Sequence, residues 1–359
     1  MTQSQTFIMS AGGTGGHMFP ALALADYLGM MGHHVHIATD RRGLRFIPAS
    51  SPYAVHTLAA DTLRAGVLGK IMGLLWLMFG VVQALFLLLK TRPAAVVGFG
   101  GYPSFPAVMA AHILRIPVVL HEANAVLGAA NRFLARGAVA VALSHATDDW
   151  TLSIPYIVTG NPVRQDIVAL TAHPYPLMMG DIHVLVVGGS LGAAVFADII
   201  PAALLHLPEA LRRRVRLVQQ ISAERHQAVQ AVYDQAGIRA ELAPFFTDMP
   251  DRIAACHLFI GRSGATTVAE LAVAGRPAIF IPYPHHADQQ QLKNTAMLVQ
   301  AGAAWAYPER DLHPDQLTAQ LQVLIENPDI LLRAANAAKG CGQPDATAHL
   351  AHIVTGATK

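Results

Sequence analysis

Two stretches of this chain open in the same way. Thr6-Phe7-Ile8-Met9-Ser10-Ala11 runs into Gly12-Gly13-Thr14-Gly15-Gly16-His17, and His183-Val184-Leu185-Val186-Val187 runs into Gly188-Gly189-Ser190-Leu191-Gly192-Ala193. Each is a short apolar run, a glycine-rich turn and then an Ala/Leu-rich helical pattern. That is how a doubly wound α/β domain begins, with helix N-termini lining the carboxyl ends of parallel strands. Further strand-like runs follow at 35–38, 95–98, 117–120 and 139–143, then at 217–220, 257–260 and 277–281, with helical patterns between most of them. The spacing predicts an α/β chain of two doubly wound, Rossmann-like parallel-sheet domains in tandem, residues 1–161 and 162–344. The join falls near Thr159-Gly160-Asn161-Pro162-Val163-Arg164, where Gly, Asn and Pro break both periodicities. A short helical stretch at 345–359 is expected to pack back on the first domain. A length of 359 residues suits two full cores.

The bulk numbers narrow the function classes. Hydrophobic residues make up 53% and charged residues only 13%, which leans away from an average soluble domain and toward membrane contact. A net charge of +2 gives no case for nucleic acid. The two cysteines, Cys256 and Cys341, have no metal-ligand spacing and read as free thiols in a reducing compartment. The first residues lack the basic-then-apolar pattern of a signal peptide, so a cytoplasmic protein is expected. Residues 71–89 are apolar apart from Gln83 and the glycines, with Lys70 and Lys90 as brackets and Arg64 and Arg92 just outside. Gly66, Gly73 and Gly80 recur every seven residues on one helix stripe, leaving Leu75, Met78, Phe79, Val82 and Phe86 on other faces. A spanning helix, a buried core helix and a membrane-facing surface ringed by basic residues all fit; the last is favoured, because the next strand follows almost at once.

The run from Gly261 to Ala272 carries the most chemistry. A strand-like segment feeds into Ser263, Gly264, Ala265 and Thr266, small residues that open a helical pattern and aim backbone N–H groups at one anion. Positions 263, 267 and 270 fall on one helix face, which puts the Glu270 carboxylate two turns down, able to accept both hydrogen bonds of a vicinal diol such as a ribose. Diphosphate at the helix start and ribose further along describe a nucleotide; a well-capped helix with a solvated Glu fits the same residues.

Other turns sit where open α/β sheets place ligand contacts. The first glycine loop is no dinucleotide fingerprint, since Met18 stands where that pattern needs glycine, and the second loop fails likewise. Either loop can bind an anion or simply permit close strand–helix packing. His17 follows the first loop at a helix start, where the dipole favours a neutral imidazole; a neutral imidazole in a cleft serves as a general base, or only caps and packs. Gly98-Phe99-Gly100-Gly101-Tyr102-Pro103-Ser104 forms a third such turn, and His121-Glu122-Ala123-Asn124 follows another strand. Asn124 could bond a sugar hydroxyl or close an Asx-turn. Past the strand at 277–281 come His285-His286-Ala287-Asp288-Gln289-Gln290-Gln291, adjacent amides and an acid suited to a polyhydroxylated ligand. Adjacent histidines do not share a helix face, so no metal is expected, and no cofactor motif is present.

Six motifs in order, at 12–17, 98–103, 121–124, 160–164, 188–193 and 262–294, resemble the MurG family, the glycosyltransferase family 28 enzymes that make lipid II, over nearly the whole chain. The resemblance implies a GT-B fold, two doubly wound domains facing across a cleft. It implies inverting transfer of N-acetylglucosamine from UDP-N-acetylglucosamine to the C4 hydroxyl of the muramoyl sugar of lipid I, with His17 as base. On the donor side it implies contacts from Thr14, Gly15 and Gly16, from Asn124, Arg164 and Ser190, and from Phe246 near the uracil. Ser263, Gly264, Ala265 and Thr266 would meet the phosphates, Glu270 the ribose, and Gln290 and Gln291 the sugar. Gly13, Thr14, Gly100, Gly101 and Tyr102 would take the acceptor diphosphate. Lys70, Leu75, Phe79, Val82 and Phe86 would belong to a patch on the anionic cytoplasmic face of the membrane. Ala123 and Leu191 depart from the Gln found at those places in members of the family. The nearest alternative is another inverting GT-B enzyme, such as a diacylglycerol glycosyltransferase; more distant ones are a sugar-nucleotide epimerase, an NAD-dependent oxidoreductase in which Asp40, at the end of the second strand, holds a ribose, and a non-catalytic nucleotide-binding membrane adaptor.

Overall fold

The computed structural model describes residues 4–60, 66–147, 154–189, 194–285 and 288–358. The chain divides into two compact units, 1–164 with 344–359, and 165–343. In the first unit seven strands form one sheet: β1 (Thr6–Ser10), β2 (His34–Thr39), β3 (Ala54–Thr57), β4 (Ala95–Gly98), β5 (Val118–Glu122), β6 (Ala140–Leu143) and β7 (Tyr156–Val158). Their order is β3-β2-β1-β4-β5-β6-β7, and every pairing is parallel. β1 is an interior strand between β2 and β4, and Phe7, Ile8 and Met9 are fully buried because helices cover both sheet faces. The helix Ala346–Gly356 belongs to this unit: Leu350, Ala351 and Val354 join the core formed by Phe7, Met9, Leu24 and Leu28.

The long apolar segment is the helix Val67–Thr91, the crossover between β3 and β4. Its 25 residues rise about 37 Å, enough for a span by length. One face is packed: Leu77, Val81, Ala84, Leu87 and Leu88 are buried, the last four in a core with Ile8, Ala38 and Val96. Gly80 is where the helix meets the chain after β3, since a Cβ there would lie 1.9 Å from the Ala59 carbonyl oxygen. Gln83 accepts the Ala59 N–H at 2.8 Å, which explains the polar residue in an apolar run. The other face is open: Leu75, Phe79, Val82 and Phe86 are all exposed, Phe86 by 70%. A helix with one face in a sheet's core is not a free span.

In the second unit six strands, β8 (Ile182–Val187), β9 (Val215–Gln220), β10 (Arg239–Ala243), β11 (Leu258–Gly261), β12 (Ala278–Phe280) and β13 (Ala304–Ala306), lie in the order β10-β9-β8-β11-β12-β13, again all parallel. Both sheets reverse direction of winding beside their first strand, between β1 and β4 and between β8 and β11. These switch points are where an open α/β sheet leaves a crevice at its carboxyl edge.

Candidate active site

At the switch point of the first unit, Gly12–Gly13 leaves β1 and the helix Gly15–Met30 begins, with Thr14 as its extended N-cap. Asp40, 3% exposed, holds this turn. One carboxylate oxygen accepts the Gly13 and Gly43 N–H groups, each at 2.9 Å, and the other pairs with Arg42 at 3.0 Å. Both oxygens are therefore committed to the loop, which overturns Asp40 as a ribose ligand. Gly13, Gly100 and Gly101 have φ of 72°, 83° and 70°, a region that favours glycine. The ring of His17 packs on the second turn, Cε1 3.6 Å from a Cβ placed on Gly100 and Nε2 3.4 Å from one placed on Gly101. Gly15 is buried, Gly16 half-buried and Thr14 exposed, and the Tyr102 ring projects from the neighbouring turn.

At the end of β5, Glu122 is a hub that sequence reasoning missed. It is 3% exposed. Oε1 accepts the main-chain and side-chain N–H groups of Asn124, each at 3.1 Å. Oε2 accepts the Gly128 N–H and the Asn131 amide, each at 2.9 Å. Asn124 thus sits in an acid-held turn. Beside it His121 is fully buried, and burial brings its imidazole down to about 4. Arg164 lies with the first unit: its guanidinium is 5.3 Å above the ring of Phe19, on the helix that follows the first glycine loop.

In the second unit the helix Ala265–Ala274 starts straight from β11 through Arg262, Ser263 and the N-cap Gly264. Its first turn presents the N–H groups of Ala265 and Thr266, where an anion is favoured. The helix begins two residues later than the shared-face argument requires. Ser263 is therefore not in register with Thr267 and Glu270; it is fully buried and donates to the Gln291 carbonyl at 2.8 Å. Glu270 is on the helix and 8% exposed. Arg262 braces the strand end, donating to the carbonyls of Ile281 at 2.9 Å and Pro282 at 3.2 Å. The following turn places Gln289 in left-handed backbone, and the helix Gln290–Asn294 begins after it. The Gln291 side-chain oxygen accepts the Tyr283 N–H at 2.9 Å. Phe246 is 6% exposed under the Arg252 guanidinium, while its neighbour Phe245 is 70% exposed. Ser190, Leu191 and His286 lie outside the described residues. Among the described residues no three His, Cys, Asp or Glu side chains converge as metal ligands would.

Comparison with known proteins decides the lineage of the chain. Residues 7–143 match the glycosyltransferase family 28 N-terminal domain, and residues 183–350 match its C-terminal domain. The chain is 49% identical over 355 residues to the UDP-N-acetylglucosamine–N-acetylmuramyl-(pentapeptide) pyrophosphoryl-undecaprenol N-acetylglucosamine transferase of Rhodospirillum centenum, covering 98% of this chain and 94% of that one. It is 44% identical over 359 residues to the transferase of the same name from Sphingopyxis alaskensis, covering 99% and 92%. The crystal structure of Acinetobacter baumannii MurG superposes with a TM-score of 0.79 at 30% identity, covering 98% of this chain and 99% of that one. The chain belongs to the MurG family. The two doubly wound parallel sheets are those of the GT-B fold. The first unit carries the glycine turns, His17 and the exposed apolar helix, and the second carries the helix Ala265–Ala274 with Glu270.

Proposed function

We propose that this protein transfers N-acetylglucosamine from UDP-N-acetylglucosamine to the C4 hydroxyl of the muramoyl sugar of lipid I, forming lipid II with a β-1,4 link. The observation that carries the reading is the whole-length match to transferases named for that reaction. In an inverting displacement the acceptor oxygen attacks the anomeric carbon as its bond to the diphosphate oxygen breaks. The bonding pair leaves with UDP, and the hydroxyl proton passes to His17. The leaving diphosphate gains charge, and the N-terminal amides of the helix Ala265–Ala274, with Ser190 and Arg164, are suited to stabilise it. Glu270 suits the ribose, Phe246 the uracil side, and Asn124, Gln290 and Gln291 the sugar. The turns of Gly13 and Thr14 and of Gly100, Gly101 and Tyr102 suit the acceptor diphosphate.

The domain roles follow: residues 1–161 receive the lipid-linked acceptor and 162–344 hold the UDP-sugar. The exposed stripe of Leu75, Phe79, Val82 and Phe86, with Lys70 at its head, lies on the anionic cytoplasmic face of the plasma membrane, so the protein is peripheral there.

Labelled N-acetylglucosamine, its UDP donor and lipid I in detergent test the reading, with wild type and Glu270→Ala side by side. Lipid II from the wild type and its near loss in the variant are expected. A wild type that binds donor but leaves lipid I untouched sends the search to other membrane acceptors, diacylglycerol first.

A further inference from the structure

Three buried polar atoms behind the first glycine turns have no hydrogen-bond partner: His17 Nδ1, His121 Nδ1 and Asn131 Oδ1. Buried polar atoms are nearly always paired, so three in one place call for a shared partner. All three residues lie around the Phe99–Gly100 turn. The ring of His121 lies 5.5 Å from that of Phe99. Phe99 leads into Gly100, where an added Cβ would be 3.6 Å from His17 Cε1 and 3.1 Å from Asn131 Nδ2.

The chemistry of two of these atoms is fixed by what surrounds them. His121 Nε2 meets the Gly160 carbonyl at 3.3 Å and the Ser144 hydroxyl at 3.5 Å; the hydroxyl can accept as well as donate, whereas the carbonyl only accepts, so the pair is satisfied with the hydrogen on Nε2, which leaves Nδ1 a bare acceptor. Asn131 Nδ2 donates to the His121 carbonyl at 3.1 Å and to Glu122 Oε2 at 2.9 Å, so the amide cannot be flipped and Oδ1 is an acceptor. Full burial keeps His121 neutral, so its acceptor is not lost near neutral pH.

We propose that one bound water joins these three atoms and holds His17 as its Nδ1–H tautomer. A water has two hydrogens; His121 and Asn131 take both. Its remaining capacity is to accept, so His17 Nδ1 must donate. That leaves the Nε2 lone pair, beside Gly101, as the basic site. His121 and Asn131 are positioning residues: they act on the proposed base through the water. The tautomer claim concerns the free protein, while its use in the reaction rests on His17 being the base.

Nitrogen-15 NMR of histidine-labelled protein tests it, with His17 assigned from the spectrum of His17→Gln. The expected result is a protonated Nδ1 and an unprotonated Nε2 in the wild type at pH 8. His121→Phe keeps the ring against Phe99 and removes the acceptor; it should shift His17 toward the Nε2–H form and lower kcat about ten-fold or more with the donor KM unmoved. His121→Asn, whose Oδ1 is an acceptor near the lost Nδ1, should restore most of the wild-type tautomer. A wild-type His17 protonated on Nε2 overturns the proposal without any His121 variant. So does a tautomer indifferent to His121→Phe. Turnover by His17→Ala is scored separately: near-normal rates there would remove the base while leaving the tautomer result standing.

Discussion

Ser263 donates to the Gln291 carbonyl at 2.8 Å, and the Asn294 amide donates to the Ser263 carbonyl at 3.1 Å. The start of the helix Ala265–Ala274 and the turn carrying Gln290 and Gln291 are thus tied together. Ser263→Ala removes the hydroxyl in a fully buried place and leaves the Gln291 carbonyl short of a donor. A loss of about 1–2 kcal/mol is expected in urea denaturation. The donor KM should rise several-fold while the acceptor KM stays put. Steady-state kinetics with each substrate varied in turn will check this, and an unmoved donor KM would show that the turn does not depend on the tie.

Acid should destabilise the fold through buried histidines. Burial takes His121 down to about 4 and His257 likewise to about 4. Between the ordinary histidine value near 6.5 and about 4, the unfolded chain binds protons that the folded chain refuses. Unfolding then takes up protons, so stability falls as pH falls through that window and is flat above it. His121 alone accounts for up to ~3 kcal/mol. Denaturation midpoints measured from pH 7.5 to 4.5 should show the decline, and His121→Asn should flatten part of it. A midpoint constant across that range would contradict the burial argument.

Gly80 and Gly340 make a matched pair. A Cβ on Gly80 would lie 1.9 Å from a main-chain oxygen, whereas one on Gly340 meets nothing within 4 Å. Both are helical, so Ala should help each by up to about 1 kcal/mol on propensity alone. At Gly340 that gain is expected in full. At Gly80 the clash with Ala59 should reverse it to a net loss of about 3 kcal/mol. Chemical denaturation of the two variants distinguishes them; a stabilised Gly80→Ala would mean that the chain after β3 yields freely.

The central strands were legible because burial on both faces leaves continuous apolar runs, as at 95–98, where the expected and observed strands coincide. The edge strands β3, β7, β10 and β13 were not read. β3 and β7 have no fully buried residue and β10 has one, so no such run marks them. β13 is only three residues long. The glycine turns and Glu270 were visible as sequence, but the acids that hold the turns were not. Asp40 and Glu122 make their bonds to main-chain N–H groups up to 27 residues away, and no local pattern encodes that. The register of Ser263 failed for a related reason: Gly264 is an extended N-cap, so the helical period does not run back through it. Phe245 and Phe246 look alike in sequence, and only the Arg252 guanidinium over Phe246 tells the buried ring from the exposed one.

The exposed stripe of the helix Val67–Thr91 gives the last prediction. Phe79 is 50% exposed and Phe86 70%, on the side away from the packed Val81, Ala84 and Leu88. Burying one such ring in a membrane interface contributes about 1.5–3 kcal/mol, or roughly ten- to a hundred-fold in affinity. Phe79→Glu with Phe86→Glu replaces both rings by charges that anionic lipids repel. Cosedimentation with phosphatidylglycerol-containing vesicles should fall by at least about a hundred-fold. Because neither ring is in the core, the melting temperature and UDP binding should be unchanged, and transfer to a short-chain, detergent-free lipid I analogue should persist. Transfer to long-chain lipid I in vesicles should drop with the vesicle binding. Undiminished cosedimentation of the double variant would place the membrane contact elsewhere on the protein.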